Sequence, residues 1–308
     1  MTILYKSDAA RGAEWARLHR ERAPDIPFRV WPDAGDPKEV RYVIAWTVTP
    51  DFLAQYPNLE VLFCTGAGID SLGLGALPPS LPVVRMIEPG LVEGMVEFVT
   101  MAVLSIHRDA YAYARQQAAG QWKALPVKTA AQTRVGVLGA GVLGRAVLGR
   151  LAAFGFPCAA WSRTRPAIDG VEGYGGEGEL DAFLARTDVL VCLLPLTPDT
   201  RGFLARRALA ALPRGASVVN VGRGGHLVAP DLLELLDSGH LAEAVIDVTD
   251  PEPLPAGHAF WSHPRVHLTP HIASETQIPT AVDALIANVR RHRAGEPLPG
   301  LVDRSRGY

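Results

Sequence analysis

The sequence predicts an α/β protein with two doubly wound parallel-sheet domains, and three observations support that prediction. The chain has 308 residues, which is more than one hydrophobic core usually organises. Two series of short apolar runs alternate with helical segments, as in parallel sheets whose strands are joined by crossover helices. A glycine-rich turn joins a strand to a helix at the start of the second series, as in phosphate-binding turns.

The first series predicts a small β/α domain that is completed by the end of the chain. Its strands are expected at 3–5, 42–46, 61–64 and 83–86. From 90 to about 119, apolar residues recur at helical spacing, which predicts one unusually long helix that could cross between domains or pair subunits. The stripe consists of Leu91, Met95, Phe98, Ala102 and Ile106.

The second series predicts a buried parallel sheet, because its strands are continuously apolar and helical segments lie between most of them. The strands are expected at 135–138, 159–161, 189–192, 218–220, 244–246 and 266–268, and a final helix at about 279–294. We therefore expect one domain at 1–90 with 280–308, and a second domain at 91–279.

Composition excludes several classes of protein. Hydrophobic residues make up 48% of the chain, charged residues 20%, and the formal net charge is -2, which argues against a nucleic-acid binder. Glu93 and Glu97 interrupt the most apolar stretch, so it lacks the roughly 20 uninterrupted apolar residues of a membrane span. The N-terminus does not follow the pattern of a secretory signal. We expect a cytoplasmic protein with neither a membrane nor a nucleic-acid partner.

Cys64, Cys158 and Cys192 each lie in an apolar run without closely spaced metal-ligand partners. This pattern is typical of buried thiols rather than of disulfides or a zinc site. We therefore expect no metal site in this chain.

The glycine pattern GAGVLG at 139–144 follows the strand at 135–138 and opens an amphipathic helix at 142–154. In such a turn, Gly139 permits the tight bend, Gly141 lets a pyrophosphate approach the backbone, and Gly144 allows close packing of helix on strand. Amides at the helix N-terminus add partial positive charge. The predicted cofactor-binding residues here are Gly139, Ala140, Gly141, Val142, Leu143 and Gly144.

A second match to the same pattern, GYGGEG at 173–178, follows no apolar strand. Glu177, Glu179 and Asp181 would also repel a pyrophosphate. We expect this segment to be a loop.

The strand at 159–161 leads to Ser162, Arg163, Thr164 and Arg165, with no carboxylate for an unmodified ribose. Two guanidiniums and two hydroxyls suit a 2′-phosphate, because Arg offers planar, multidentate donors. The segment therefore predicts that NADPH is preferred over NADH. The alternative is a solvated basic turn.

Three polar motifs each follow an apolar strand: NVGRGG at 220–225, DVTDPEP at 247–253 and TPHIAS at 269–274. Because the carboxyl ends of parallel strands meet at one crevice, all three can face one ligand. Taken singly, each has an ordinary explanation: an arginine in a capping loop, a glutamate in a proline-rich turn, and a buried histidine.

The order GAGVLG, NVGRGG, DVTDPEP and TPHIAS resembles the D-isomer-specific 2-hydroxyacid dehydrogenase family across nearly the whole chain. Within it, the runs at 161–163, 261–264 and 302–308 resemble bacterial NADPH-dependent glyoxylate/hydroxypyruvate reductases of type A. The resemblance implies a Rossmann dinucleotide-binding domain and a smaller flavodoxin-like substrate domain. It also implies further cofactor contacts from Leu194, Pro195, Val221, Gly222, Asp247, His271 and Ala273, with a structural role as the alternative for Asp247.

The same resemblance implies three catalytic roles in the reduction of a small 2-oxo acid. Arg223 binds the carboxylate and carbonyl oxygen of the substrate, a task suited to a permanently charged fork. His271 donates a proton to the carbonyl oxygen, since an unperturbed imidazole pKa near 6.5 makes both protonation states accessible. Glu252 hydrogen-bonds the other imidazole nitrogen, although Asp247 and Asp250 stand close to it in sequence.

On the substrate side, the loop CTGAGID at 64–70 matches a family loop whose backbone amides bind the substrate carboxylate, with Ala67 and Gly68 as candidates. Turn formation is the alternative. Trp46 either lines the substrate pocket or packs in the core. The resemblance also implies a homodimer, in which Trp122 could reach the partner's site.

Two other functions stay open from the sequence. Corepressor-like regulators of the same family sense NAD(P) with this fold, and a bulkier 2-oxo acid such as phenylpyruvate could be the substrate. Oxidation of phosphoglycerate is disfavoured, since we find neither a regulatory domain nor an acidic ribose ligand.

Overall fold

The computed structural model describes residues 1–308 and divides the chain into two compact units. Unit 1 comprises Met1–Leu91 and Glu275–Tyr308, and unit 2 comprises Val92–Ser274. The expected boundaries were 90/91 and 279/280. The second boundary lies between Ser274 and Glu275, five residues before the expected position. The reason is that the segment after Ser274 already bonds to unit 1, where Thr276 Oγ1 donates to the Thr65 carbonyl at 2.7 Å.

The chain forms twelve strands and nine α-helices. In order they are β1 Thr2–Lys6, α1 Ala9–Arg22, β2 Phe28–Val30, β3 Val40–Ala45, α2 Pro50–Ala54, β4 Val61–Cys64, β5 Val83–Val84, α3 Pro89–His107, α4 Ala110–Ala118, β6 Val135–Leu138, α5 Val142–Ala153, β7 Cys158–Ser162, β8 Glu172–Gly175, α6 Leu180–Ala185, β9 Val189–Cys192, α7 Arg206–Ala210, β10 Ala216–Asn220, α8 Ala229–Asp237, β11 Leu241–Ile246, β12 Val266–Leu268 and α9 Ile278–Arg293.

Unit 1 contains a five-stranded parallel sheet in the order β2-β1-β3-β4-β5, which is the flavodoxin-like order. Successive residues of each strand point to opposite faces, so α1 and α9 pack on one face and α2 on the other. β2 was not predicted. It is a three-residue edge strand with half-exposed side chains, too short to carry an apolar signal.

Unit 2 contains a seven-stranded parallel sheet in the order β12-β11-β10-β9-β6-β7-β8. The chain direction across the sheet reverses at β6, which pairs with both β7 and β9, and this is the Rossmann arrangement. The predicted fold class is confirmed, and all ten predicted strands are present. Ligands of such sheets bind beyond the carboxyl ends of the strands at the reversal point.

One sequence expectation about this sheet was wrong. The second glycine pattern was expected to be a loop, but Glu172–Gly175 forms the edge strand β8, in parallel register with β7. Glycine and glutamate carry no apolar alternation, so sequence gave no sign of a strand here.

The single long helix expected from 90 to about 119 is two helices. α3 ends at His107, Asp109 takes a left-handed conformation with φ of 56°, and α4 begins at Ala110. Aspartate is one of the few residues besides glycine that tolerates this conformation. The break lets α4 pack against the sheet edge, where the Tyr111 ring stacks on His267 at a centroid distance of 3.5 Å.

Helix α3 alone meets the length and composition of a membrane-spanning helix, two criteria that the core helix of a globular protein also meets. Its Phe98, Val99 and Ala102 are buried in the core of unit 2, packed against strands of the sheet. The helix thus contributes one apolar stripe to that core.

A buried carboxylate joins the two separate segments of unit 1. Glu88 Oε1 accepts hydrogen bonds from the amides of Leu91 (2.7 Å) and Gln277 (3.0 Å). Glu88 Oε2 accepts from the Gly90 amide at 2.7 Å and from Thr280 Oγ1. One side chain therefore caps the first turns of both α3 and α9, whose initial amides lack partners within the helix.

Candidate active site

The glycine turn between β6 and α5 has the tight bend at Gly139 and the close packing at Gly144 that its sequence predicts. Gly139 has φ of 102°, and a Cβ there would lie 2.7 Å from the Leu193 carbonyl oxygen. A Cβ on Gly144 would lie 1.9 Å from the Gly139 carbonyl oxygen. A Cβ on Gly141 would meet nothing within 4 Å. The first and third glycines are required by packing, while the second leaves open space at the helix N-terminus, where a pyrophosphate fits.

The basic segment, which comprises Ser162 to Arg165 at the end of β7, adjoins this turn. Ser162 Oγ donates to the Thr164 carbonyl at 2.6 Å, which folds the segment back on itself. Arg145, from α5, donates to the carbonyls of Ala140 (3.1 Å) and Ala167 (2.9 Å) and so ties the glycine turn to the chain beyond the basic segment. Arg145 was not predicted as a site residue, because an arginine on a helix is usually solvated and has no such partner.

Arg165 has a partner that the sequence did not assign to it. Its guanidinium forms a two-point ion pair with Glu179, with Nε 3.2 Å from Oε2. Each group stabilises the charge of the other, so the pKa of Glu179 lies below its usual range and that of Arg165 above. The basic segment therefore contains an organised arginine and not only solvated charges.

Residues 221–225 follow β10 and form the Arg223 loop. Two buried polar side chains hold this loop in place. Asn220 Nδ2 donates to the Arg223 carbonyl at 3.1 Å, and the Arg223 amide donates to His226 Nδ1 at 3.1 Å. His226 Nε2 lies 3.3 Å from the Pro195 carbonyl oxygen. Asn220 and His226 were not predicted as site residues; their only signal was a polar group at each end of NVGRGGH.

The Arg223 loop contacts the Glu252 loop backbone to backbone. A Cβ on Gly224 would lie 1.9 Å from the carbonyl carbon of Thr249. The Thr249 amide in turn donates to Glu252 Oε1 at 2.9 Å. The loops after β10 and β11 are thus in direct contact within unit 2.

His271 and Glu252 form the central pair of the site. His271 Nδ1 lies 2.9 Å from Glu252 Oε2, and the two side chains are 35% and 40% exposed. This contact occupies Nδ1 and leaves Nε2 as the nitrogen for a reactant. His271 has φ of 56°, an unusual conformation for a residue with a side chain and one that often marks functional sites.

Asp247 supports the backbone around His271. Its Oδ1 accepts from Thr269 Oγ1 at 2.6 Å and from the Ile272 amide at 2.9 Å, and its Oδ2 accepts from the Ala273 amide at 2.9 Å. The His271 amide donates to the Asp247 carbonyl at 2.8 Å. These bonds support a structural role for Asp247, which the sequence left open beside a contact with the cofactor.

The remaining predicted cofactor residues lie at the same edge of the sheet, beyond the carboxyl ends of β9, β10 and β12. Leu194, Val221 and Ala273 are buried, and Pro195 is half-buried. Gly222 is also buried, and a Cβ there would lie 3.2 Å from the Leu194 carbonyl oxygen.

In unit 1, the predicted substrate residues follow β3 and β4. A Cβ on Gly66 would lie 2.7 Å from Trp46 Cζ3, so the indole packs across the loop that contains Ala67 and Gly68. Trp46 remains 37% exposed and is therefore not a core residue. Cys64 Sγ donates to the Gly68 carbonyl at 3.3 Å, which further fixes this loop.

The three cysteines are buried thiols, as predicted. Burial raises the pKa of Cys158 to about 11 and that of Cys192 to about 12, so neither is a thiolate near neutral pH. No three His, Cys, Asp or Glu side chains cluster as metal ligands. An imidazole paired with a carboxylate, as in His271 and Glu252, can transfer a proton, and a guanidinium such as that of Arg223 can bind an anion.

Residues 100–273 match the family model described as the D-isomer specific 2-hydroxyacid dehydrogenase, NAD binding domain. A glyoxylate/hydroxypyruvate reductase A from Yersinia enterocolitica is 38% identical over an alignment that covers both chains completely.

Two solved structures are similar over the whole chain. The first is a D-isomer specific 2-hydroxyacid dehydrogenase from Xanthobacter autotrophicus in complex with NADPH and MES, 39% identical, with a TM-score of 0.96 over 100% of this chain and 99% of that one. The second is an NADPH-dependent glyoxylate/hydroxypyruvate reductase from Sinorhizobium meliloti in complex with NADP and sulfate, 35% identical, with a TM-score of 0.91 over all of both chains.

The glycine turn leads to a prediction with a matched control. Gly144→Ala forces a methyl group into the Gly139 carbonyl, so the turn must open, and we expect a loss of about 2 to 4 kcal/mol in the free energy of unfolding. Gly149→Ala, on the same helix with nothing within 4 Å of its Cβ, should instead be neutral or stabilise by up to about 1 kcal/mol. Urea unfolding followed by tryptophan fluorescence measures both; equal behaviour of the two variants would contradict the assigned packing role.

Proposed function

Because the chain belongs to the D-isomer specific 2-hydroxyacid dehydrogenase family, we propose that it reduces small 2-oxo acids with NADPH, converting glyoxylate to glycolate and hydroxypyruvate to D-glycerate. The observation that carries this proposal is the His271–Glu252 pair, whose nitrogen and oxygen lie 2.9 Å apart. The pair lies at the edge of the sheet where β10 ends and the Arg223 loop begins. The full-length similarity to a glyoxylate/hydroxypyruvate reductase A supports the choice of substrates.

In the proposed reaction each residue has one task. The bound dinucleotide supplies the hydride that reduces the carbonyl carbon. His271, in its protonated form, donates the proton from Nε2 to the carbonyl oxygen, while Glu252 holds Nδ1 and stabilises the imidazolium. Arg223 binds the substrate carboxylate and carbonyl oxygen with two parallel N–H donors. The products are the 2-hydroxy acid and the oxidised dinucleotide.

We assign the dinucleotide to unit 2 and the substrate-binding loop to unit 1. In unit 2, the open space over Gly141 and the residues after β9, β10 and β12 suit a dinucleotide laid along one sheet edge. They include Leu194, Pro195, Val221, Gly222, Asp247 and Ala273, of which Asp247 acts through the backbone that it holds. In unit 1, the amides of Ala67 and Gly68 bind the substrate carboxylate, and Trp46 adds apolar contact.

The preference for NADPH rests on the segment after β7. Ser162, Arg163, Thr164 and Arg165 supply hydroxyl and guanidinium donors where an NAD-binding site carries a carboxylate. The Xanthobacter and Sinorhizobium structures bind NADPH and NADP, respectively, which supports the same choice for this chain.

We further propose that the protein acts in the cytoplasm as a homodimer. Large apolar side chains lie exposed along α3, α4 and the segment after them, and such residues mark interfaces when they cluster. They are Met101, Tyr113, Trp122 and Val127.

The substrate and cofactor assignments predict that NADPH oxidation is fast with glyoxylate or hydroxypyruvate. We expect kcat/KM to be at least about tenfold higher with NADPH than with NADH, since a charged phosphate held by Arg contributes more than 1 kcal/mol. Absorbance at 340 nm with a panel of 2-oxo acids, including phenylpyruvate, measures both. A preference for NADH would contradict the cofactor assignment, a preference for phenylpyruvate would indicate a bulkier substrate, and no turnover would favour a corepressor-like sensor.

The proton-donor role of His271 predicts that His271→Ala lowers kcat by about 10² to 10⁴, the usual scale for loss of a general acid. NADPH affinity should stay nearly unchanged, because the variant removes a proton donor and not the dinucleotide turn. His263→Ala is the control: its imidazole pairs with the exposed carboxylate of Asp237, and the turnover of the variant should equal that of the native protein. Undiminished turnover in His271→Ala would refute the role.

The homodimer predicts a sedimentation-equilibrium mass near twice the 33.0 kDa of one chain. Trp122→Ser removes a fully exposed indole and should shift the protein toward monomer, with little effect on the fold of either unit. A native mass equal to that of one chain would rule out this assembly.

A further inference from the structure

The second glycine pattern holds the basic segment against the sheet. β8 runs beside β7 with Ser162 opposite Gly175. A Cβ on Gly173 would lie 2.3 Å from the Pro166 carbonyl oxygen, and one on Gly175 would lie 2.4 Å from the Arg165 amide nitrogen. The backbone at 165–166 therefore lies directly on one face of β8, closer than any other residue type would permit.

Glu179 binds the Arg165 side chain of the same segment. The Gly175 amide donates to Glu179 Oε2, so the carboxylate is anchored to the end of β8. Its two oxygens then face Nε and Nη2 of Arg165. The pKa of Glu179 is lowered first of all by its hydrogen bond with Arg165, so the carboxylate is charged near neutral pH.

The ion pair uses one edge of a guanidinium that has five N–H donors in a rigid plane. The N–H groups of Nη1 remain on the other edge. An arginine whose side chain is 64% exposed would otherwise sample many rotamers, and ordering it would cost part of any binding free energy.

We propose that Glu179 is a positioning residue for cofactor selection: by holding one edge of Arg165, it presents the other edge to the 2′-phosphate of the dinucleotide. The inference rests on the proposed use of NADPH. It gives the segment from Gly173 to Glu179 a function in recognition, through Arg165 and without a contact of its own to the cofactor.

Glu179 has two opposing effects on a bound phosphate, and they can be separated. Its negative charge repels the phosphate whether or not Arg165 is present. Its positioning effect requires Arg165. A double-mutant cycle between the two residues therefore isolates positioning from repulsion.

The experiment compares the native protein with Glu179→Gln, Arg165→Ala and the double variant. Isothermal calorimetry measures binding of adenosine 2′,5′-bisphosphate and of 5′-AMP, and steady-state kinetics measures KM for NADPH and NADH. We expect Glu179→Gln to weaken the bisphosphate by about three- to tenfold and 5′-AMP by less than about twofold, as for a partly organised charge-assisted contact. In the Arg165→Ala background, the same change should cause no further weakening.

Two more variants test the reason for the effect. Glu177→Gln removes an equal charge from the same short turn, where Glu177 faces Arg207 at 3.7 Å, and should leave bisphosphate affinity unchanged. Glu179→Asp keeps the charge but shortens the reach to Arg165, and should weaken the bisphosphate as Glu179→Gln does. Thermal midpoints and KM for NADH check that each variant retains its fold.

The outcomes distinguish the two levels of inference. If the native protein prefers the bisphosphate over 5′-AMP but Glu179→Gln binds it equally well or more tightly, the positioning role is overturned and the use of NADPH stands. The role is also overturned if Glu177→Gln has the same effect, or if the loss persists without Arg165. If the native protein shows no preference, both inferences are overturned.

Discussion

The buried carboxylate of Asp247 makes the hydrogen bonds on which the geometry of the His271–Glu252 pair depends. It stands at the end of β11 and accepts hydrogen bonds from three donors in the segment after β12, on both sides of His271. A left-handed histidine costs of order 1 to 3 kcal/mol, and these bonds are what maintain it. Glu252 needs only to meet an imidazole that the backbone has already oriented. The geometry of the His271–Glu252 pair is therefore a property of the sheet edge more than of two side chains.

Close approach of backbone to backbone is the second organising constraint, and it recurs at three places in unit 2. Gly144 lies against Gly139 in the glycine turn, Gly224 against Thr249 between the loops that contain Arg223 and Glu252, and Gly175 against Arg165 in the basic segment. Each contact removes the room for a Cβ and leaves the loops little freedom to move independently. Rigid loops suit a site that must keep donors aligned with a small anion, because little order has to be acquired on binding.

The sequence predicts most of the sheet of unit 2, because six of its strands are apolar runs and four of them lead into recognisable polar motifs. It misses β8, whose glycines and glutamate carry no apolar pattern, and it reads α3 and α4 as one helix, because their residues continue one helical stripe and only Asp109 takes a left-handed turn. Arg223, Glu252 and His271 are identifiable because their motifs follow strand ends that must converge and also resemble the motifs of the family. The tertiary partners are not: Glu179 lies 14 residues from Arg165, and no local rule joins them.

The four bonds of Glu88 have a consequence for how this chain is made. A growing chain leaves the ribosome from its N-terminus, and domains usually fold in that order. Here two of the four donors to Glu88 come from Gln277 and Thr280, and α9 is one of the two helices that cover one face of the first sheet. Unit 2 has all of its residues once Ser274 has emerged, whereas the N-terminal unit must still wait for the C-terminal segment. The half that is synthesised first is thus the last to be able to fold completely.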